Sequence, residues 1–409
     1  MDLRGSSIRV RYALAGGVVV SMLAAGCGND ETAGTDTDTT SESTPESSSE
    51  GESPSGDETT SGETEPTDSG GAEPVEAAVT LDELCESDYA DIRTPEGFKA
   101  SLVTDVGTVN DGSFNQFAYE GLKAAETCFD IETDFIETAN QADYNNNLTT
   151  ILSGKPDVVV TTGFLLADAT LTFAEANPNV SWIGIDQFQE SYPDNYVGIL
   201  FREDQGGYLA GALAGLLTES NVIGVVAGRE DVPPVVRYVN GYEAGAKAVN
   251  PDVEVLRVYN ASFDDPAKGA SDAQQMLGEG ADVIFGAGGV TGSGGVRAAA
   301  EAGAWAIGVD QDQYATIFGS GSAKGADRIA SSAVKRVDLG VFEQIAAAIE
   351  GEFKGGVFQL TAENNGITYA PAHDADVPPE ILQQLEETRA GLADGTIDTG
   401  VDPITGEPL

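Results

Sequence analysis

From about residue 98 the chain alternates short β-branched runs with amphipathic stretches. The runs are KASLVTDVG, DVVVTTGF, VSWIGID, YVGILF, NVIGVVAG, VEVLRVYN, DVIFGAGG and WAIGVD. Most are nearly continuous in apolar residues, as in strands buried on both faces. The stretches between them carry helical periodicity. SFNQFAYEGLKAAETC opens with Ser113 and Gln116 at capping-box spacing, and Phe117, Gly121, Ala124 and Cys128 then recur on one face. DDPAKGASDAQQMLGEG offers Asp265 as an N-cap and Pro266 in the first turn. DQGGYLAGALAGLLTES is rich in Ala and Gly, which predicts a helix lying close to a sheet. ADRIASSAVKRVDLGVFEQIAAAIEG reads as one long helix or two.

Strands alternating with helices predict an α/β fold with parallel sheets and right-handed crossovers. Run after run ends in a small or acidic residue: VTDVG, TTGF, IGID, VVAG, GAGG, GVD. In open parallel sheets, ligands bind beyond the carboxyl ends of the strands. These ends fall into two clusters, separated by FREDQGGYLAGALAGLLTES. The pattern predicts two similar doubly wound, Rossmann-like lobes, about 98–204 and about 220–310, facing each other across a cleft. The last 80 or so residues cross back and supply pieces to both lobes. LVTDVGTVNDGSFNQFAYEG, residues 102–121, places unusual polarity at the mouth of the first strand.

The rest of the chain reads differently. Arg4, Arg9 and Arg11 precede the short apolar run ALAGGVVVSMLAAG, which is too short for a permanent membrane span. The run closes on Cys27 in LAAGC and resembles a bacterial lipobox. Residues 1–26 are then a lipoprotein signal peptide and Cys27 the lipidated first residue of the mature protein. An ordinary signal peptide with a chance cysteine is the plainer alternative. Residues 27–80 are almost all Ser, Thr, Glu, Asp, Gly and Pro. With so little to bury, such a segment cannot offset its ordering entropy and is expected to be a disordered acidic tether. The ligand-binding body would span 81–400.

The formal net charge is −48, from 68 acidic against 20 basic residues. That argues against nucleic acid as a partner, because phosphate would be repelled. It also favours neutral ligands over nucleotides. Two cysteines remain, Cys85 and Cys128; in an exported protein an even pair suggests a disulfide, with two buried thiols as the alternative. Catalytic chemistry has little to stand on. His373 is the only histidine, which leaves no evident nucleophile–histidine arrangement and no typical zinc site. No P-loop motif occurs, and GAGGVTGSGG does not match G-x-G-x-x-G from Gly286 or Gly288. Neither an enzyme nor a bound metal or cofactor is expected.

With two lobes and an anchor in view, TDVGTVNDGSFNQFAYEG resembles the opening motif of the basic membrane protein family, PnrA-like nucleoside-binding lipoproteins that serve ABC importers. TTGFLLADATLTFAEANPNVSWIGID, YLAGALAG, GYEAGAKAVNP, SFDDPAKGASDAQQML, GADVIFGAGGVTGSGG, AIGVDQDQY and SAVKRVD follow in the family's order, so the likeness covers about 98–370. It implies a type I periplasmic-binding fold, with three hinge crossings and lobes that close on a nucleoside. It also implies a monomer, lipid-anchored on the outer face of the cell membrane, serving a permease and an ATPase that are separate chains. A sugar or other small neutral ligand, or a ligand-sensing role, are the alternatives.

A nucleoside needs aromatic faces for its base and acceptors for its diol. Phe114 and Tyr238 are candidates for stacking; the family commonly has an aromatic at the second position, and tyrosine stands here in place of phenylalanine. Asn115 suits a base edge, and Asp105 ends the first strand. Asp168 matches the family's aspartate after the second strand end. Gly288 would permit close approach, Asp310 would accept from both ribose hydroxyls, and Lys335 would donate to the ligand or pair with Asp310. Plainer readings stand beside these: core packing for Phe114, a helix-start hydrogen bond for Asn115, local caps for Asp105 and Asp168, a strand-end role for Asp310, and a surface lysine at 335.

Overall fold

The structure, a computed structural model, describes residues 79–409. The expected signal peptide, Cys27 and the expected tether as far as residue 78 lie outside the described residues. Lobe one opens with α1 (Leu81–Glu86), β1 (Lys99–Val106) and α2 (Phe114–Phe129). β2 (Glu132–Thr138), α3 (Tyr144–Leu152), β3 (Val158–Thr162), α4 (Ala167–Ala176), β4 (Ser181–Ile185) and β5 (Tyr196–Phe201) follow. The chain then enters lobe two through α5 (Glu203–Leu217). There it forms β6 (Val222–Ala227), α6 (Pro233–Val249), β7 (Glu254–Tyr259), α7 (Pro266–Gly278) and β8 (Val283–Ala287). α8 (Gly289–Ala302), β9 (Trp305–Asp310), the single turn α9 (Gln313–Thr316) and β10 (Ile329–Lys335) complete that run. α10 (Val337–Glu350) and β11 (Gly356–Leu360) return to lobe one; β12 (Ile367–Tyr369) and α11 (Pro379–Ala393) go back to lobe two.

Each lobe is built on a six-stranded sheet. The orders are β11-β5-β4-β3-β1-β2 and β12-β10-β9-β8-β6-β7. All neighbours pair in parallel except β12, which runs antiparallel to β10. The two sheets repeat one doubly wound plan, and the winding reverses between β1 and β3 and between β6 and β8. The chain passes between the sheets three times: after β5, after β10 and after β11.

Four strands were absent from the apolar pattern. β2 is an edge strand and alternates exposed with part-buried residues, so its run is broken by acids. β10 is buried throughout, yet Ser331, Ser332 and its alanines make it read as a continuation of the helix that follows. The hydroxyls find partners: Ser331 donates to the Ala370 carbonyl (2.7 Å) and Ser332 accepts from the Gln313 amide (3.0 Å). The apparent long helix of 326–351 is therefore a short 3-10 turn, a strand and α10. β11 is an edge strand that alternates part-buried with exposed residues, and β12 has only three residues.

Local readings meet mixed outcomes. Asp265 caps α7, accepting from the Lys268 amide at 2.9 Å. The capping box on α2 does not form. Asp111 takes that role, accepting from the amides of Ser113 (2.8 Å), Asn115 (3.0 Å) and Gln116 (3.0 Å). Asn115, Ala118, Gly121, Leu122, Ala125 and Phe129 are the buried positions of α2, so of the expected face Gly121 is buried while Phe117, Ala124 and Cys128 are half-buried. Gly121 meets α10 so closely that a Cβ would stand 2.5 Å from the Asp338 carbonyl oxygen. α5 does lie against the lobe-two sheet, and its glycines serve a still closer contact with another helix. Cβ atoms on Gly207 and Gly211 would stand 2.2 and 2.0 Å from backbone oxygens of α6, and those on Gly241 and Gly245 in α6 would meet α5 as closely. Cys85 of α1 and Cys128 of α2 form a disulfide, with Cα atoms 5.8 Å apart. Among the described residues no helix is long and apolar enough to cross a membrane.

Candidate functional site

The strand ends converge on one cavity between the lobes. Lobe one contributes Asp105, Val106 and Gly107 from the end of β1, Asp111, Phe114 and Asn115 from the turn into α2, Gly163 to Leu165 after β3, and Asp186 after β4. Lobe two contributes Val232, Pro234, Val235 and Tyr238 from the start of α6, and Phe263 and Asp264 from the loop before α7. Ala287 to Val290 after β8, Val309 and Asp310 at the end of β9, and Lys335 at the end of β10 complete it.

Seven of the eight ligand candidates therefore meet around one space. Asp105 is anchored on its own side: its Oδ1 accepts from the Val106 amide (2.7 Å) and from the Tyr144 hydroxyl. Gly163 follows with φ 95°, a left-handed conformation, and a Cβ there would lie 2.1 Å from Asp105 Oδ2. Asn115 is buried, and its Oδ1 accepts from Thr162 Oγ1 at 2.8 Å. Phe114 is half-buried with the Lys335 ammonium 5.1 Å from its ring centre. Tyr238 is buried against Phe285, edge to face, and its hydroxyl has no hydrogen-bond partner. Gly288 lines the cavity, but the room its missing side chain leaves is filled by backbone: a Cβ would stand 2.3 Å from the Gly228 nitrogen. Asp310 is buried in a left-handed conformation (φ 65°) and accepts from the Ser113 hydroxyl of lobe one at 2.5 Å.

Asp168 is not brought to the cavity. It sits exposed in the first turn of α4, where a carboxylate is favoured by the helix dipole. Lys335 lines the cavity, but it is neither a surface lysine nor a partner of Asp310. It is 2% exposed, and it pairs with Asp186 (2.6 Å) and Glu203 (2.8 Å) instead of Asp310. The contact with Asp186 is a hydrogen bond across the lobes; that with Glu203 is an ion-pair approach without hydrogen-bond alignment. Arg237 closes the chain of charges, donating to Glu203 at 2.5 Å.

This network sorts the acids. Burial works against the charge on Glu203, but Arg237 and Lys335 outweigh it and hold its carboxyl at about 2. Burial pushes Asp186 up to about 7 against the pull of Lys335, with the Glu203 charge adding to the rise. Burial likewise lifts Asp310 to about 6, against Lys335 and the Ser113 hydrogen bond. Asp105 and Asp111 are also raised by burial, opposed by the hydrogen bonds they accept. Lys335 remains charged: burial lowers it, and the charges of Asp186, Glu203 and Asp310 raise it above its ordinary value. Among the described residues no group of three or more His, Cys, Asp or Glu gathers as a metal site.

The geometry is that of a two-lobed capsule with a polar and aromatic lining. Residues 98–388 match the family model Bmp, described as ABC transporter substrate-binding protein PnrA-like. The chain belongs to this family. As a Bmp-family protein it is 33% identical to the CD4+ T-cell-stimulating antigen of Listeria monocytogenes, over 76% of this chain and 90% of that one. It is 31% identical to the ABC transporter nucleoside-binding protein BmpA of Lactococcus lactis, over 73% and 88% of the two chains. Among solved structures it resembles ABC transporter system solute-binding proteins from Aeropyrum pernix K1, with a TM-score of 0.64 and 27% identity over 74% of this chain and 92% of that one.

Several lining residues of this Bmp-family protein escaped the sequence reading. Asp186 ends the run IGID, the same acidic strand end that drew attention to Asp105 and Asp310, so the signal was present. Phe164 opens a short 3-10 turn after β3 and Phe263 lies in a loop, and nothing in their spacing marks them. Glu203 and Arg237 lie behind the cavity wall, on helices from different parts of the chain, and only folding makes them neighbours.

Proposed function

We propose that this protein is the lipid-anchored substrate-binding component of an ABC importer and that its cleft captures a nucleoside, a purine nucleoside foremost, for delivery to a membrane permease. The observation that carries this reading is the make-up of the cavity: aromatic rings from both lobes, Phe114 and Phe164 on one side and Phe263 and Tyr238 on the other, together with the carboxylates of Asp105 and Asp310. A base stacks on such rings, and a vicinal diol donates to such carboxylates. Lys335 is the only cation among the described lining residues, and two acids already engage it, so an anionic guest finds no free counter-charge. A ligand that touches both lobes favours the closed state over the open one. Delivery would follow on separate permease and ATPase chains, with the binding protein a monomer held at the membrane through Cys27, and the guest would leave unaltered.

Titration calorimetry of inosine, guanosine, adenosine and uridine against free ribose, glucose and nucleoside 5′-monophosphates tests this. Nucleosides are expected to bind in the micromolar range or tighter and the monophosphates at least tenfold more weakly. Binding of free sugars with no response to any nucleoside overturns it in favour of a sugar-binding role. Metabolic lipid labelling that is lost in Cys27→Ala tests the anchor.

A further inference from the structure

We propose that Ser113, with Gln311 and Thr316, forms a latch that joins the two lobes directly across the cleft and positions Asp310. The Ser113 hydroxyl donates to Asp310 Oδ2 at 2.5 Å. Gln311 Nε2 donates to the Ser113 carbonyl at 2.8 Å, and Thr316 Oγ1 donates to the Gly112 carbonyl at 3.0 Å. All three bonds link the loop after β1 in lobe one to the end of β9 and the segment after it in lobe two, some 200 residues away in sequence. Ile317 packs on Gly112 beside them, leaving no room for a side chain there.

The local chemistry is arranged to release the serine. Ser113 stands in the N-cap place of α2, where a hydroxyl ordinarily turns back onto the helix amides. Asp111 accepts from those amides in its stead. The hydroxyl is thus free to reach into the other lobe, and it is fully enclosed there. On the opposite side Asp310 adopts a left-handed backbone that only Gly, Asn and Asp take readily, and such a conformation persists where surrounding contacts hold it.

The latch is distinct from the tie between Lys335 and Asp186. That ion pair lies at strand ends next to the crossings, on β10 and after β4. The latch leaves lobe one from β1, three strands away from the crossing strand β5. Direct bonds between the lobes stabilise the closed state without any guest. Because apparent affinity scales with the fraction of molecules already competent to bind, a latched chain binds more tightly than an unlatched one. Asp310 also lines the cavity, so the carboxylate offered to a guest is held in place by the lobe it does not belong to. The latch belongs to the chain alone and does not depend on which guest the cleft takes.

Distance measurement between the lobes, in the absence of ligand, tests it. Full chain carrying Cys27→Ser would be labelled at Thr150→Cys on α3 and Glu279→Cys after α7, both exposed. The expected result is a short, narrow distance distribution. Combining Ser113→Ala with Thr316→Val is expected to shift the closed-to-open ratio by about tenfold or more toward longer distances, with the thermal midpoint little changed. Gln311→Ala reads the same latch where the double variant folds poorly, and is expected to give a smaller shift of the same sign. A latched chain is overturned if the variants' distributions superpose on that of the parent, or if the parent itself is already open. No ligand enters the measurement, so its failure would leave the nucleoside reading untouched.

Discussion

Asp310 combines three demands that conflict with stability: burial, a left-handed backbone and a negative charge. Its carboxyl rises from the ordinary carboxylate range to about 6 chiefly through burial. Between those two values the folded chain holds a proton that the unfolded chain has lost. Stability therefore falls as pH climbs through that window and stays level above it. The full difference is about 3 kcal/mol by the usual conversion of a pKa shift. Asp186, raised to about 7, acts with the same sign. Asp310→Asn keeps a residue that tolerates the backbone and removes the charge. It is expected to raise the thermal midpoint at pH 8 by several degrees and to match the parent near pH 4, while weakening ligand binding by about 2 kcal/mol. Melting curves at the two pH values and one calorimetric titration check both halves. An unchanged affinity would remove Asp310 from the site.

At the scale of elements, the crossing of α5 and α6 sets how lobe two meets the hinge. These helices interlock through glycines, and their first turns carry Glu203 and, one turn on, Arg237 and Tyr238. Gly211→Ala puts a methyl 2.0 Å from the Tyr242 carbonyl oxygen, where backbone must move. A loss of about 3 kcal/mol is expected in urea unfolding. Gly278→Ala at the end of α7 meets nothing within 4 Å, so it should be neutral or slightly stabilising. Equal effects from the two substitutions would contradict the close-packed crossing. The same crossing shows what the pattern of residues could and could not convey. Small residues in YLAGALAG announced a close approach, but besides the sheet the tightest partner is a helix from thirty residues on. β10 was hidden for a related reason. Alanine and serine fit strand or helix alike, and only pairing with β9 and β12 makes IASSAVK extended.

At the scale of the whole molecule the dominant physical fact is the charge of −48. Exposed carboxylates repel one another in dilute salt, and counter-ions relieve that repulsion within about 10 Å at 0.1 M. The thermal midpoint is expected to rise steadily as sodium chloride increases from about 0.05 M to about 1 M. A flat or falling midpoint would mean that ion pairs such as Arg237–Glu203 outweigh the general repulsion. Two lobes of parallel α/β build, the acidic or small residues at the strand ends, and the family itself were legible in the chain, because buried strands and their turn residues leave a period and a punctuation that need no three-dimensional context. Seven of the eight ligand candidates, at strand ends or early in the helices that follow, reached the cavity. Asp168 did not, because its place in the first turn of α4 faces solvent. The partners of each charge were decided by tertiary structure alone. That Lys335 turns to Asp186 and Glu203, and that Ser113 gives up its own helix to hold Asp310, depends on which strand ends the two sheets bring face to face, and no local pattern encodes a contact between residues so far apart in the chain.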